Sequence, residues 1–436
     1  NVKILRLTGR RILSFVVFSV VFSVAFTYIC CEKANKSDTN VKKLPMNLKR
    51  LLPLLIVPLL LTACPSGTNR TKNAPDLRNL PREIRSGEQG PFHVQGIAVD
   101  LERGYIYFSF TTKLLKMDLE GNLIGSVDGM TGHLGCLTMN PAEGRVYGSL
   151  EYKDDAIGKG IRRTLDAAPE DEKDQTGFYV AIFDVDRITR PDMDAEKDRV
   201  MTTVYIREAV DDYFATAENG GRTVEHRFGC SGIDGVTFAP RFGTKEGGDY
   251  LYVAYGVYGD TVRTDNDYQV LLAYDTKDWK RFEQPLSQGS LHKSGPAAPD
   301  HKYFVRTGNT SWGIQNLAYD PASGNCYAAV YKGKKLQYPN YSLFVIDGGK
   351  PARKELLQGF DTPTEGEVLS LVPAGKSADG IYGWDFKWGT TGLCPFGGGY
   401  FYISQNARSK ETKQQSSTVR LYRWTGDADA PFQLVE

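Results

Sequence analysis

The chain has 436 residues with 53 Lys and Arg against 52 Asp and Glu, a formal net charge of +1. That balance gives no basic surplus, so no nucleic-acid partner is expected and no polybasic membrane patch stands out. The length excludes a small disulfide-stapled scaffold and leaves room for one large or two ordinary domains behind any targeting segment.

In chain order, two apolar stretches come first. "RILSFVVFSVVFSVAFTYICC" (11–31) is nearly long enough to span a bilayer. The chain opens on Asn1, and a complete signal starts at Met46. Residues 1–45 are therefore read as translation from too far upstream, a membrane segment being the alternative. From Met46, "MNLKRLLPLLIVPLLLTAC" has a basic start, an apolar run broken by Pro53 and Pro58, and Leu61-Thr62-Ala63-Cys64. This resembles a bacterial lipoprotein signal over 46–63, with Cys64 as the lipidated residue. Acyl chains on Cys64 would anchor the protein at about 0.8 kcal/mol per buried CH₂. Residues 64–90 are few in large apolar side chains and rich in Gly, Pro, Asn, Arg and Lys, which predicts a tether.

The folded part is expected at 91–436. "GIAVDLERGYIYFSF" (96–110) reads as strand, tight turn, strand, and it recurs from Gly135, Gly235, Asn316 and Gly392. Each copy carries a tyrosine in its second strand (Tyr107, Tyr147, Tyr252, Tyr327, Tyr402). A small residue follows two positions later (Ser109, Ser149, Ala254, Ala329, Ser404). A third run comes next, as in "KLLKMD", "YVAIFD", "VLLAYD", "SLFVID" and "VRLYRW". Behind most of them stands a fourth, as in "NLIGSV", "VMTTVYI" and "ELLQGF". The pattern predicts an all-β protein, a β-propeller of four-stranded antiparallel blades. Five blades are counted; a sixth stays open, because "HKYFVR" (301–306) and "EVLSLVP" (367–373) are unplaced strands. Over residues 90–436 the chain resembles the broad class of propeller lipoproteins of Bacteroidetes-like bacteria, including those with NHL-type repeats. With the signal, this implies the cell envelope, as an outer-membrane lipoprotein facing the periplasm or the surface. Cys136, Cys230, Cys326 and Cys394 fall on different repeats, so no disulfide is expected.

In up-and-down blades with strands a to d from the axis outward, the b–c and d–a connections share a face. The long connections are of these kinds: 153–177, 332–341 and 406–418, then 207–228, 286–311 and 359–387. Long loops on a rigid scaffold are where binding residues gather. The segment 207–229 is expected to hold a short helix that docks on something. "KGKKLQYPNY" (332–341) is expected as a charged, solvated loop.

Residues just before each anchor line the channel mouth on that face. The ring offers His93, Gln95, His133, Asp234, Trp312, Gln315 and Trp388 as ligand-binding candidates. Trp312 and Trp388 suit stacking on a flat ligand or packing between blades. His93, His133 and Asp234 are the candidate metal ligands, with Gln95 and Gln315 beside them. No HxH or HExxH spacing supports the set, so no cofactor is expected and polar side chains bonding water are the plainer reading.

These observations predict a lipid-anchored binding module that holds a glycan, a peptide or an envelope protein at the loop-rich mouth. The alternative is a metal-assisted hydrolase or lactonase at the axis. No nucleophile motif occurs in the folded part.

Overall fold

The first repeat folds as a hairpin, Val94–Asp100 paired antiparallel with Tyr105–Phe110 around a turn where Gly104 takes φ 75°. Lys113–Asp118 and Leu123–Asp128 extend it to the first blade. The computed structural model describes residues 76–140, 142–166, 176–244 and 249–436, all within the unit Asn73–Glu436. Residues 1–75, with the signal expected at 46–63 and Cys64, lie outside the described residues.

Five such sheets make a five-bladed β-propeller. Blade two is His133–Asn140, Arg145–Tyr152, Gly177–Phe183 and Met201–Tyr205. Blade three is Cys230–Ala239, Tyr250–Val257, Tyr268–Tyr274 and His301–Arg306. Blade four is Thr310–Asp320, Asn325–Lys332 and Leu343–Ile346, with bridges from Leu343 to Trp384 and Ile346 to Leu371 in place of a fourth ladder. Blade five is Leu393–Pro395, Tyr400–Arg408 and Gln415–Trp424, and its outer strand is Glu83–Glu88 from the other end of the chain.

Three expectations are corrected here. The tether does not run to residue 90, because Ile84 pairs with Val419 and its side chain is buried in the last blade. "HKYFVR" is the fourth strand of blade three, and Glu365–Val368 adds to it in parallel, so the described residues form no sixth blade. Likewise "ELLQGF" is no outer strand of blade four, since Arg353–Leu356 pairs with Glu365–Val368 at the edge of blade three.

The repeated tyrosines are buried, and so are the small residues two positions on. The inner strands crowd one another: a Cβ on Gly96 would lie 2.8 Å from Cys136 Cα, which is why the anchor position is glycine. Blade four breaks that rule with Asn316. Its buried amide fills the axis and donates to Gln95 O at 2.8 Å and Thr390 O at 2.9 Å. Cys136, Cys230, Cys326 and Cys394 are free thiols.

The helix Arg207–Phe214 docks on the chain's own third blade. Its buried Asp212 accepts from Tyr255, Arg227 and Lys302. The loop at 332–341 is not simply solvated. Lys335 is buried on Asp267, and Tyr338 donates to the same carboxylate at 2.8 Å.

Candidate functional site

Each inner strand starts at the face that carries the b–c and d–a connections, and a cavity of about 280 Å³ opens there on the axis. His93, Gln95, His133, Asp234, Trp312 and Gln315 all line it, as the ring of pre-anchor residues predicts. Trp388 does not. It packs half-buried against the core between blades four and five, with the Lys387 ammonium 4.4 Å from its ring centre. Two other cavities lie at the opposite face, one by Phe242 and Cys326 and one by Trp384 and Trp424.

The lid comes from the long b–c connection of blade two. Asp155 caps a helix over Ala156–Thr164 by accepting from the N–H groups of Ile157 (3.0 Å) and Gly158 (2.9 Å). Ile157 and Ile161, four apart and so on one helical face, close one side of the cavity.

Sequence reasoning missed Thr111, Glu151, Lys153 and Tyr331, which complete the wall with Phe92 and Ser231 of the pre-anchor ring. Thr111, Glu151 and Tyr331 stand two positions after the small residues Ser109, Ser149 and Ala329, where each b strand reaches the mouth. That offset was the available signal.

Glu151 sits opposite His133 in the register of blade two and is almost wholly buried. One carboxylate oxygen accepts from the Ile233 N–H, and the other lies 2.8 Å from Lys153 Nζ and 3.9 Å from His133 Nδ1. Lys153 is equally buried, donates to Ser231 O at 3.0 Å, and has Asp155 at 3.8 Å as a second carboxylate. Gly232, at φ 129°, admits the Glu151 carboxylate, because a Cβ would lie 1.8 Å from Oε1. A bulge between Ile233 and Val236 marks the turn of chain that carries Asp234 to the mouth. There Asp234 accepts from Gln315 Nε2 at 3.1 Å, and the same amide reaches Trp312 O at 3.2 Å. On the far side Gln95 donates to Thr111 Oγ1 at 2.9 Å.

Burial sets the protonation of this group. It lowers the His133 imidazole to about 3, helped by Lys153 and His93, and it lowers His93 as well, so both rings are neutral near pH 7. Asp234 is pushed well above the usual carboxylate range by burial and by the neighbouring Glu151 charge. Burial raises Glu151 too, against the pull of Lys153; the ammonium, despite its burial, is held charged by Glu151, Asp155 and Asp234. Enclosed Nδ1 of His133 has no hydrogen-bond partner.

Trp312 is 40 % exposed on the cavity wall and sits in the left-handed region at φ 66°. Its ring ends an aromatic series: Tyr213 to His226 at 4.4 Å, His226 to Tyr258 at 5.0 Å and Tyr258 to Trp312 at 5.8 Å. One oxygen or nitrogen atom each from His133, Glu151 and Asp234 lie within 4.8 Å of one another, a spacing that suits a metal ion; His93, expected in that set, lines the cavity without belonging to it. Among the described residues no helix is long and apolar enough to cross a membrane.

No protein-family profile matches the sequence, and no curated protein matches it. Among solved structures, the PQQ domain of pyranose dehydrogenase from Coprinopsis cinerea is similar at 10% identity and a TM-score of 0.31, over 74% of this chain and 81% of that one. The calcium-binding protein regucalcin from Agrobacterium tumefaciens is similar at 11% identity and a TM-score of 0.30, over 78% of this chain and 95% of that one. Neither likeness bears on the chemistry of the axial mouth.

Proposed function

We propose that the protein is a binding propeller of the cell envelope whose axial mouth takes a small polar ring, a sugar unit of a glycan. The observation that carries the reading is the exposed Trp312 ring on the wall of a cavity that also presents the planar hydrogen-bonding groups of Gln95, Gln315, His93, His133 and Asp234 beside the apolar Ile157 and Ile161. An aromatic face meets the C–H face of a sugar ring, and amides and carboxyls meet its hydroxyls. At about 280 Å³ the cavity suits one ring better than a folded partner. A non-glycine residue at positive φ costs about 1–3 kcal/mol, a strain that collects at ligand sites. The envelope placement rests on the lipobox-like run ending at Cys64.

A hydrolytic reading is favoured by the approach of the Glu151 and Asp234 carboxyl groups. It ranks second because both Glu151 oxygens are engaged, by Ile233 and Lys153, which leaves that carboxylate poorly placed to attack.

Calorimetric titration of the full chain with mono- and oligosaccharides tests the proposal. Binding that falls at least tenfold in Trp312→Ala and in Gln315→Ala is expected; no saturable binding across neutral, acidic and amino sugars would overturn it. Release of the leaving group from chromogenic glycosides or lactones would move the conclusion to the hydrolase. The envelope placement predicts an acyl mass on Cys64 that disappears in Cys64→Ala.

A further inference from the structure

The geometry points to a divalent-cation site formed by His133, Glu151 and Asp234, with Lys153 as the resident counter-charge that yields to the ion. The inference rests on the axial mouth being the binding site. It adds the ion that would sit at the floor of that site.

One imidazole and two carboxylates make a mixed donor set that suits Zn²⁺ or Mn²⁺ and not a thiolate-seeking metal. Their candidate ligand atoms already lie within 4.8 Å of one another. At metal–ligand bonds of about 2.0–2.2 Å around a tetrahedral ion, neighbouring ligand atoms stand about 3.4 Å apart, so closing on an ion draws these side chains in by up to about an ångström. His133 brings an enclosed Nδ1 with no hydrogen-bond partner. Asp234 accepts from Gln315 through Oδ2 alone. The backbone is cut back around both carboxylates: a Cβ on Gly232 would strike Glu151, and one on Gly256 would come within 2.9 Å of Asp234 Oδ2.

Lys153 is the apparent obstacle, with its ammonium 2.8 Å from Glu151. A second carboxylate waits for it, since Asp155 Oδ2 is 3.8 Å away and the Ser231 carbonyl oxygen is bonded to the same ammonium. As an ion arrives, Lys153 swings to Asp155 and Glu151 turns from ion pair to ligand. In the absence of the ion, Lys153 keeps the buried carboxylate compensated. Three protein ligands leave positions open on the ion, where a ligand's hydroxyl groups would bind beside Trp312.

The test is equilibrium dialysis of the EDTA-stripped full chain against ZnCl₂ and, separately, MnCl₂, read by elemental analysis and by thermal shift. One ion per chain is expected, with affinity reduced at least tenfold in Asp234→Asn and in His133→Ala. In Lys153→Met, or in Lys153→Gln if that chain alone folds, affinity rises and the thermal shift on adding metal exceeds that of the wild type. Asp155→Asn, which removes the ammonium's second partner, weakens binding. No saturable ion in the wild type, or an ion whose affinity ignores Asp234→Asn, would overturn the inference. Sugar titrations with and without EDTA keep the two readings apart: saturable sugar binding by a chain that takes up no stoichiometric ion sinks the ion alone, and a stoichiometric ion without sugar binding sinks the glycan reading alone.

Discussion

Replacing Gly232 by alanine tests the architecture of the axial site directly. Two penalties combine there. The backbone sits at φ 129°, outside the range that L side chains adopt readily, at about 1–3 kcal/mol. The new Cβ would also lie 1.8 Å from Glu151 Oε1, so the carboxylate must leave its bond to Ile233 and its pair with Lys153. Breaking a buried pair in this way costs about 3–5 kcal/mol. Together they predict a loss of about 4–8 kcal/mol in urea unfolding, a large share of the roughly 5–15 kcal/mol available to a folded domain. Gly220→Ala is the control, because Gly220 has φ 63° with nothing within 4 Å and should show the backbone penalty alone. In a Glu151→Ala background the steric half disappears, so a double-mutant cycle should return about 3 kcal/mol of coupling between the two positions. Equal losses at Gly232 and Gly220, or a cycle that closes to zero, would show that the carboxylate is not packed against residue 232.

Two further outcomes follow from the fold. Ile84→Ala removes the main apolar contact of the strand that joins the two chain ends and should cost about 2–3 kcal/mol, read as a lower urea midpoint with earlier proteolysis before residue 90; an unchanged midpoint would mean that the strand does not close the blade. Burial acts to raise Glu283, but bonds from Arg145, Lys280 and Thr202 prevail and its pKa is lowered. A depressed carboxyl contributes above its unfolded value, about 4.3, and loses that contribution as pH falls through the folded value. Glu283→Gln should therefore cost about 1–2 kcal/mol at pH 7 and unfold with a shallower acid dependence than the wild type below pH about 4.3; parallel acid profiles would refute this.

The five-fold repeat was legible because propeller packing writes itself into local sequence. A tyrosine must fill the space between blades, and a small residue must face the inner neighbour two positions on, so both recur. The mouth was legible for the same reason, since inner strands begin at fixed offsets from their anchors. The outer strands obey no such rule. In Glu83–Glu88 only Ile84 and Ser86 are buried, and Arg353–Leu356 is exposed throughout, so these segments carry the composition of tether and loop. The partner is hundreds of residues away in the first case, and in the second it is Glu365–Val368, which is itself held in parallel on the edge of blade three. Lys335 shows the limit for charges: a lysine among lysines reads as solvated surface, and only the fold brings Asp267 to it. Trp388 errs in the opposite direction. It occupies the position of Trp312 in its blade, but it packs into the core between blades four and five and takes no part in the cavity wall.

That difference between blades four and five gives the site its logic. The described cavity draws on blades one to four, through His93, His133, Asp234 and Gln315 among others, while blade five contributes no wall residue. Blade five is also the one closed across the propeller, by the pairing of Glu83–Glu88 with Gln415–Trp424. Asn316 separates the two: its amide spans the axis to Gln95 on blade one and Thr390 at the start of blade five, so the inner ring is fixed by hydrogen bonds below the cavity. The polar groups of the mouth are then held on four continuous blades, which is the rigidity that a preorganised site requires.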